Sequence, residues 1–156
     1  MYYEIINLYR KEPKLLCHNV AIIFQGIENI HKMRSSLKDL INTVTAVPGG
    51  GGASIENFMS GLANSGWLKH VKAVLDVSIA IADCILSNRS VIVHCSDGWD
   101  RTSQTCALAC LMLDGYYRTI QGFQVNFICW SFKVPILSSL KIFYMRTTNY
   151  PHQISL

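Results

Sequence analysis

The stretch that decides the fold is VIVHCSDGWDRTSQTCALACLML, residues 91–113. It opens with three β-branched residues, 91–93, which predict a short buried strand. It closes with an apolar segment, 103–113, which predicts a helix. A polar loop, 94–102, joins the two. A strand, a loop and a helix in this order are typical of α/β proteins, which bind ligands at the carboxyl ends of their strands.

The loop itself predicts an anion-binding ring. In His94-Cys95-Ser96-Asp97-Gly98-Trp99-Asp100-Arg101-Thr102, a cysteine and an arginine are separated by five residues. Backbone N–H groups at a helix N-terminus are unpaired and lie at the positive end of the helix dipole. A loop of this length can turn those groups inward around a tetrahedral dianion. We therefore expect a phosphate to be bound by the intervening residues: Ser96, Asp97, Gly98 and Trp99.

Three side chains of the loop suit phosphoester hydrolysis. Cys95 is expected to be the nucleophile, because the N–H groups and the helix dipole also stabilise a thiolate. The planar guanidinium of Arg101 can hold two phosphate oxygens. The leaving alkoxide needs a proton, which either Asp97 or Asp100 can supply. We favour Asp100 as the acid, because it lies beside Arg101.

Two further loop residues are predicted to support the nucleophile. His94 precedes the cysteine and is expected to tune the thiolate by hydrogen bonding. Thr102, or the neighbouring Ser103, is expected either to donate a hydrogen bond to the sulfur or to cap the helix. The competing interpretation of Cys95 is a small buried residue at a strand end. Its distance from Arg101 along the chain, together with the predicted strand before the loop and the predicted helix after it, favours the catalytic interpretation.

The rest of the chain yields a few more elements. Val20–Phe24 is predicted to be a strand, a helix is predicted to begin near Lys32, and Ser54 is a candidate cap for another. A longer helix is expected over 66–86. The glycine-rich stretch 48–52 reads as a linker. The long helix carries one apolar stripe that we expect to face the core: Leu68, Val71, Leu75, Ile79, Ala82 and Ile85.

Composition limits the function classes. The net charge is +4 and the pI is near 8.8, which favours an anionic partner but is too weak to predict nucleic-acid binding. The start of the chain lacks the pattern of a signal peptide, so we expect a cytoplasmic protein with reduced cysteines. Cys106 and Cys110 are spaced to share a helix face, but no histidine lies near them. We therefore predict neither a metal site nor a cofactor.

In addition to this loop chemistry, the sequence resembles the myotubularin family of phosphoinositide 3-phosphatases. The loop CSDGWDRT, 95–102, is similar to the signature of that family. The flanking segments GIENIHKMRSSL at 26–37, SGWLKH at 65–70 and LDGYYRTIQGF at 113–123 are similar as well. The resemblance covers 24–125, so the chain is identified as a fragment of the family's catalytic domain.

The resemblance implies a fold and an organisation. It implies a partial cysteine-phosphatase fold of the α/β class, with a mostly parallel central sheet, flanking helices and an incomplete sheet. Residues 1–23 stay unassigned, 24–125 form the phosphatase core fragment, and 126–156 read as a divergent C-terminal tail.

The resemblance also implies an activity. The expected substrates are phosphatidylinositol 3-phosphate and phosphatidylinositol 3,5-bisphosphate, cut at the 3-position through a cysteinyl-phosphate intermediate. Cys95, Arg101 and Asp100 match the family's catalytic residues, and Asn29 and Ile30 match positions that contact the lipid. The expected location is cytoplasmic, peripheral to endosomal membranes. The expected partners are membrane phosphoinositides and other myotubularins in homo- or hetero-oligomers.

Two other functions compete with a lipid phosphatase. A protein tyrosine phosphatase uses the same loop chemistry, although this sequence has no separate Trp-Pro-Asp acid loop. A truncated, non-catalytic fragment that acts as a binding or adaptor module is the other candidate, because the apolar tail after residue 125 differs from the family pattern.

Overall fold

A computed structural model describes residues 3–7, 20–45, 52–96, 100–131 and 143–145. Three predicted phosphate-binding residues lie outside the described residues, namely Asp97, Gly98 and Trp99, as does most of the predicted glycine-rich linker. The chain divides into two compact units. One comprises 1–27 with 74–156, and the other comprises 28–73.

The first unit contains a four-stranded sheet. Its strands are β1 (Tyr3–Asn7), β2 (Val20–Phe24), β3 (Ser90–His94) and β4 (Phe143–Met145), in the order β2-β1-β3-β4. β1 runs parallel to β2 and β3, with Ile5 opposite both Ile22 and Ile92. β4 pairs with β3 in the antiparallel sense. The described residues thus combine a sheet with helices, as an α/β chain does.

Five α-helices and one 3₁₀ helix make up most of the remaining described residues. The helices are α1 (Ile30–Thr45), α2 (Gly52–Ser65), α3 (Trp67–Leu86), α4 (Arg101–Leu113), the 3₁₀ helix (Gly115–Arg118) and α5 (Ile120–Ser131). α1 begins two residues before its predicted start. The prediction that Ser54 caps α2 is wrong, because that residue lies inside the helix.

The prediction of which face of α3 is buried is also wrong. Of the apolar stripe expected to face the core, Leu68, Val71, Leu75 and Ile79 are exposed. The helix instead buries its other face, formed by Val74, Val77, Ser78, Ile81, Ala82 and Cys84. Only Ala82 belongs to both sets. α3 is apolar on both faces, so helical periodicity has no basis for choosing between them.

The core of the first unit draws on three elements around the predicted loop. Its fully buried apolar side chains are Val77 and Ile81 of α3, Val91 and Val93 of β3, and Cys106 and Ala109 of α4. The strand before the loop and the helix after it are therefore both anchored in the core, which gives the loop two fixed ends.

Two side chains that follow α4 in the sequence donate hydrogen bonds back to carbonyl groups of that helix. Arg118 Nη1 donates to the carbonyl oxygen of Leu111 at 2.6 Å and so caps the C-terminal turn of α4. From α5, Asn126 Nδ2 donates to the carbonyl of Ala107 at 3.0 Å. α5 therefore continues without a break across residue 125, where the core fragment was predicted to end.

The second unit is helical. α1 packs against α2 closely enough that a Cβ on Gly61 would collide with the side chain of Thr43. Asn29 precedes α1, and its Oδ1 accepts a hydrogen bond from Lys32 N at 3.0 Å, which makes it the N-cap. Gly66 has a φ of 68°, and the Ser65 hydroxyl accepts from Trp67 N at 3.3 Å where α3 begins.

Candidate active site

Cys95 lies where β3 ends. The strand's last residue is His94, and the cysteine follows it directly with 7% of its surface exposed. α4 begins at Arg101, so the cysteine and the arginine occupy the two ends of the segment that joins the strand to the helix. The predicted strand and helix on either side of this segment are both present.

The Arg101 side chain turns back toward the start of the loop. Its Nη2 donates a hydrogen bond of 2.9 Å to Ser96 Oγ, five residues earlier. Ser96 directly follows Cys95, so this bond holds the guanidinium at the end of the loop that carries the thiol. A cation held near a cysteine favours its thiolate form and also attracts a phosphate.

Asp100 occupies the N-cap position of α4, yet its side chain makes no capping hydrogen bond. Its Oδ1 accepts instead from Gln104 Nε2 at 2.6 Å. The Asp100 carbonyl also accepts from Gln104 N at 3.1 Å, the first backbone bond of the helix. Sequence reasoning missed Gln104, although an acid and an amide four residues apart at a helix start are a recognisable signal.

Thr102 and Ser103 lie inside α4, so the prediction that one of them caps the helix is wrong. Thr102 is 1% exposed, and its hydroxyl has no hydrogen-bond partner within the described part of the chain. The alternative prediction, a hydrogen bond from this hydroxyl to the sulfur, is therefore not made in this structure.

His94 is half-buried, and its ring contacts the backbone after the strand. Nδ1 lies 3.4 Å from the carbonyl oxygen of Cys95, to which it donates in the tautomer that carries a proton on Nδ1. This contact holds the imidazole against the main chain of Cys95.

Cys106 and Cys110 extend a thiol-rich region along α4. Burial is the main cause that raises the pKa of Cys106 well above its usual range, and negative charge on Cys110 and then on Cys95 adds to it. A hydrogen bond from Thr105 opposes that rise. Cys84, Cys95, Cys106 and Cys110 form no disulfide bond with one another. Among the described residues, no group of three or more His, Cys, Asp or Glu side chains is placed to hold a metal ion.

Asn29 and Ile30, the predicted lipid contacts, belong to the second unit. Both side chains are exposed, with Asn29 serving as the N-cap of α1 and Ile30 as its first residue. None of the helices in the described ranges has the length and hydropathy of a membrane-spanning segment.

Comparison with known proteins agrees with the resemblance. The family model of the myotubularin-like phosphatase domain matches residues 3–128. The chain is 57% identical to the phosphatidylinositol-3,5-bisphosphate 3-phosphatase MTMR6 of Mus musculus over 108 residues. Those residues make up 69% of this chain and 17% of that protein. The phosphatidylinositol-3,5-bisphosphate 3-phosphatase MTMR8 of Gallus gallus is 51% identical over 109 residues, with 69% and 16% covered.

A third relative carries a different substrate in its name. The phosphatidylinositol-3-phosphate phosphatase MTMR7 of Mus musculus is 49% identical over 108 residues, which cover 69% of this chain and 16% of the relative. The chain thus spans about a sixth of the length of the curated relatives it matches. With the family match extending over residues 3–128, the chain belongs to the myotubularin-like phosphatase domain family.

Proposed function

We propose that this chain contributes the catalytic loop of a cysteine-dependent phosphoinositide 3-phosphatase. The single observation that carries the proposal is the bond from Arg101 to Ser96, because it brings a guanidinium back to the thiol-bearing end of the loop. The substrates proposed are phosphatidylinositol 3-phosphate and phosphatidylinositol 3,5-bisphosphate. The names of the related proteins support both.

The reaction divides into two displacements. In the first, the Cys95 thiolate attacks phosphorus, an S–P bond forms, and the bond between phosphorus and the inositol 3-oxygen breaks. Arg101 binds two of the phosphoryl oxygens and stabilises their charge in the transition state. Asp100 gives its proton to the departing alkoxide.

In the second displacement, water attacks the phosphocysteine. Asp100, now a carboxylate, takes a proton from that water, inorganic phosphate leaves, and the thiolate is restored. His94 lies one residue before the cysteine, and its ring contacts the Cys95 carbonyl, which supports an auxiliary role for it beside the reacting sulfur.

The proposal extends to fold and setting. A partial cysteine-phosphatase fold is supported by the parallel pairing of β1 with β3 immediately before the loop. The family relationship supports a membrane phosphoinositide as the binding partner, an endosomal membrane surface as the place of action, and association with other myotubularins. Asn29 and Ile30 are proposed to contact the lipid headgroup, and their exposure leaves them accessible for it.

The test is phosphate release from short-chain phosphatidylinositol 3-phosphate by the purified chain, with Cys95→Ser as the matched control. Release by the wild-type chain alone supports the proposal, and equal release by both proteins refutes it. A phosphotyrosine peptide run in parallel separates a lipid phosphatase from a protein tyrosine phosphatase. A chain that melts cooperatively yet releases phosphate from neither substrate is a non-catalytic module.

A further inference from the structure

We propose that Gln104 is a positioning residue that determines which oxygen of Asp100 carries the transferred proton. This inference rests on the proposed function, since it concerns the acid of the same reaction. It starts from a hydrogen bond to the Asp100 carboxyl, from Gln104 Nε2 to Oδ1 at 2.6 Å.

The chemistry of an amide nitrogen makes that bond directional. A glutamine NH₂ group donates and has no lone pair with which to accept. Oδ1 must therefore act as the acceptor, and the proton of the carboxylic acid resides on Oδ2. Oδ2 is then the atom that delivers the proton to the leaving alkoxide and later takes one from water.

The bond to Gln104 also takes the place of the capping bond that the Asp100 carboxyl could make to α4. An aspartate at an N-cap usually accepts from backbone N–H groups of the first helical turn. Asp100 makes no such bond. Gln104 lies one turn further along α4, where residues four apart share a face, so its amide is positioned to hold the carboxyl away from the helix end.

The helix that carries Gln104 holds this residue in a fixed position. Its side chain is half-buried, and it precedes Thr105 and Cys106, both of which are fully buried. A donor mounted on a helix that is anchored in the core has little freedom to move. It can therefore restrict the rotation of the Asp100 carboxyl more strictly than a loop residue could.

A positioning role has a kinetic signature that a structural role lacks. The inositol alkoxide is a poor leaving group and depends on the acid. An aryl phosphate such as 4-methylumbelliferyl phosphate releases a stable phenolate and needs little protonation. Loss of the Gln104 donor should therefore slow formation of the phosphocysteine from the lipid and spare its formation from the aryl phosphate. Hydrolysis of the phosphocysteine is common to both substrates, so the two are compared by kcat/KM, which reports the first displacement.

The experiment compares Gln104→Leu with the wild-type chain on short-chain phosphatidylinositol 3-phosphate and on the aryl phosphate. We expect kcat/KM for the lipid to fall about tenfold, the effect of losing one hydrogen bond, with kcat/KM for the aryl phosphate changed less than about twofold. Gln124→Leu, an exposed glutamine of α5, is the matched control and should leave both reactions unchanged.

A double-mutant cycle with Asp100→Asn provides a second readout. Because Gln104 acts through Asp100, adding Gln104→Leu to Asp100→Asn should cause no further loss on the lipid. Gln104→Met, which keeps a good helix former and lacks the donor, checks that the result is not a folding defect of the leucine variant.

The outcomes separate the two proposals. Equal losses of kcat/KM on lipid and aryl substrates in both Gln104 variants, or full additivity with Asp100→Asn, overturn the positioning role and leave the phosphatase intact. Absence of any Cys95-dependent turnover of either substrate overturns the proposed function and this inference together.

Discussion

The Arg101 guanidinium donates a 2.9 Å hydrogen bond to the hydroxyl of Ser96. The two residues lie at opposite ends of the loop, one at the first position of α4 and the other directly after Cys95. Because a charged donor holds a neutral acceptor here, the bond fixes the orientation of the fork that is proposed to receive the phosphate. The Ser96 hydroxyl therefore contributes to holding the arginine side chain in this orientation.

This relationship predicts a graded effect of substitutions at Ser96. Ser96→Ala removes the acceptor and should lower kcat/KM for the phosphoinositide about tenfold, as expected for a hydrogen bond of about 1.5 kcal/mol to a charged group. Ser96→Thr keeps the hydroxyl and should lose less. Steady-state phosphate release measures both, and an alanine variant with wild-type kcat/KM would contradict the role.

The two buried threonines of α4 should respond in opposite ways to replacement by valine. The Thr102 hydroxyl is buried without a partner in the described part of the chain, so Thr102→Val should raise the free energy of unfolding by about 1 kcal/mol. Thr105 Oγ1 donates to the carbonyls of Arg101 and Thr102 at 3.1 and 3.2 Å. Thr105→Val should therefore lower the free energy of unfolding by about 1 kcal/mol. Urea unfolding of the two variants tests this, and changes of the same sign would contradict it.

Cys106 should make the chain less stable at alkaline pH. In the unfolded chain this thiol ionises near pH 8.5, whereas burial keeps its pKa well above that value in the folded chain. Between these two pKa values the folded state binds more protons, so the free energy of unfolding falls as pH rises, by at most about 1.4 kcal/mol per pH unit. Below about pH 8.5 the thiol is protonated in both states, so Cys106 adds nothing to the change of the free energy of unfolding with pH.

Cys106→Ala is the control, because it removes this titration. The stability difference between the wild-type chain and the variant should be constant from pH 6 to 8 and should shrink toward pH 10, as followed by urea unfolding at each pH. A difference that stays constant throughout would show that the thiol does not titrate above its ordinary pKa.

Gly122 should tolerate no side chain. A Cβ at this position would collide with the backbone carbonyl of Tyr116, which the 3₁₀ helix holds in place. Gly122→Ala should therefore destabilise the chain by about 1–3 kcal/mol. At Gly115 the nearest atom is the flexible end of Arg118, 3.3 Å away, so Gly115→Ala should cost much less. Thermal unfolding compares the two, and equal losses would contradict the clash.

The local elements around the loop were predictable because each is encoded by contiguous residues. Strand β2 coincides with its predicted bounds, β3 is one residue longer at each end, and α4 begins two residues earlier and ends where predicted. β1 was not foreseen. Its five residues alternate too weakly to indicate a strand, and they form one by pairing with β2 and β3, which are distant along the chain.

By itself the sequence determined the order of strand, loop and helix and the family, because a motif of eight consecutive residues needs no knowledge of what packs against it. The tertiary structure decided which face of α3 is buried, since both of its faces are apolar and only the neighbours in the core favour one. It also decided that Asp100 binds Gln104 rather than capping α4. Two uses of one carboxyl compete there, and the geometry of the folded loop selects between them.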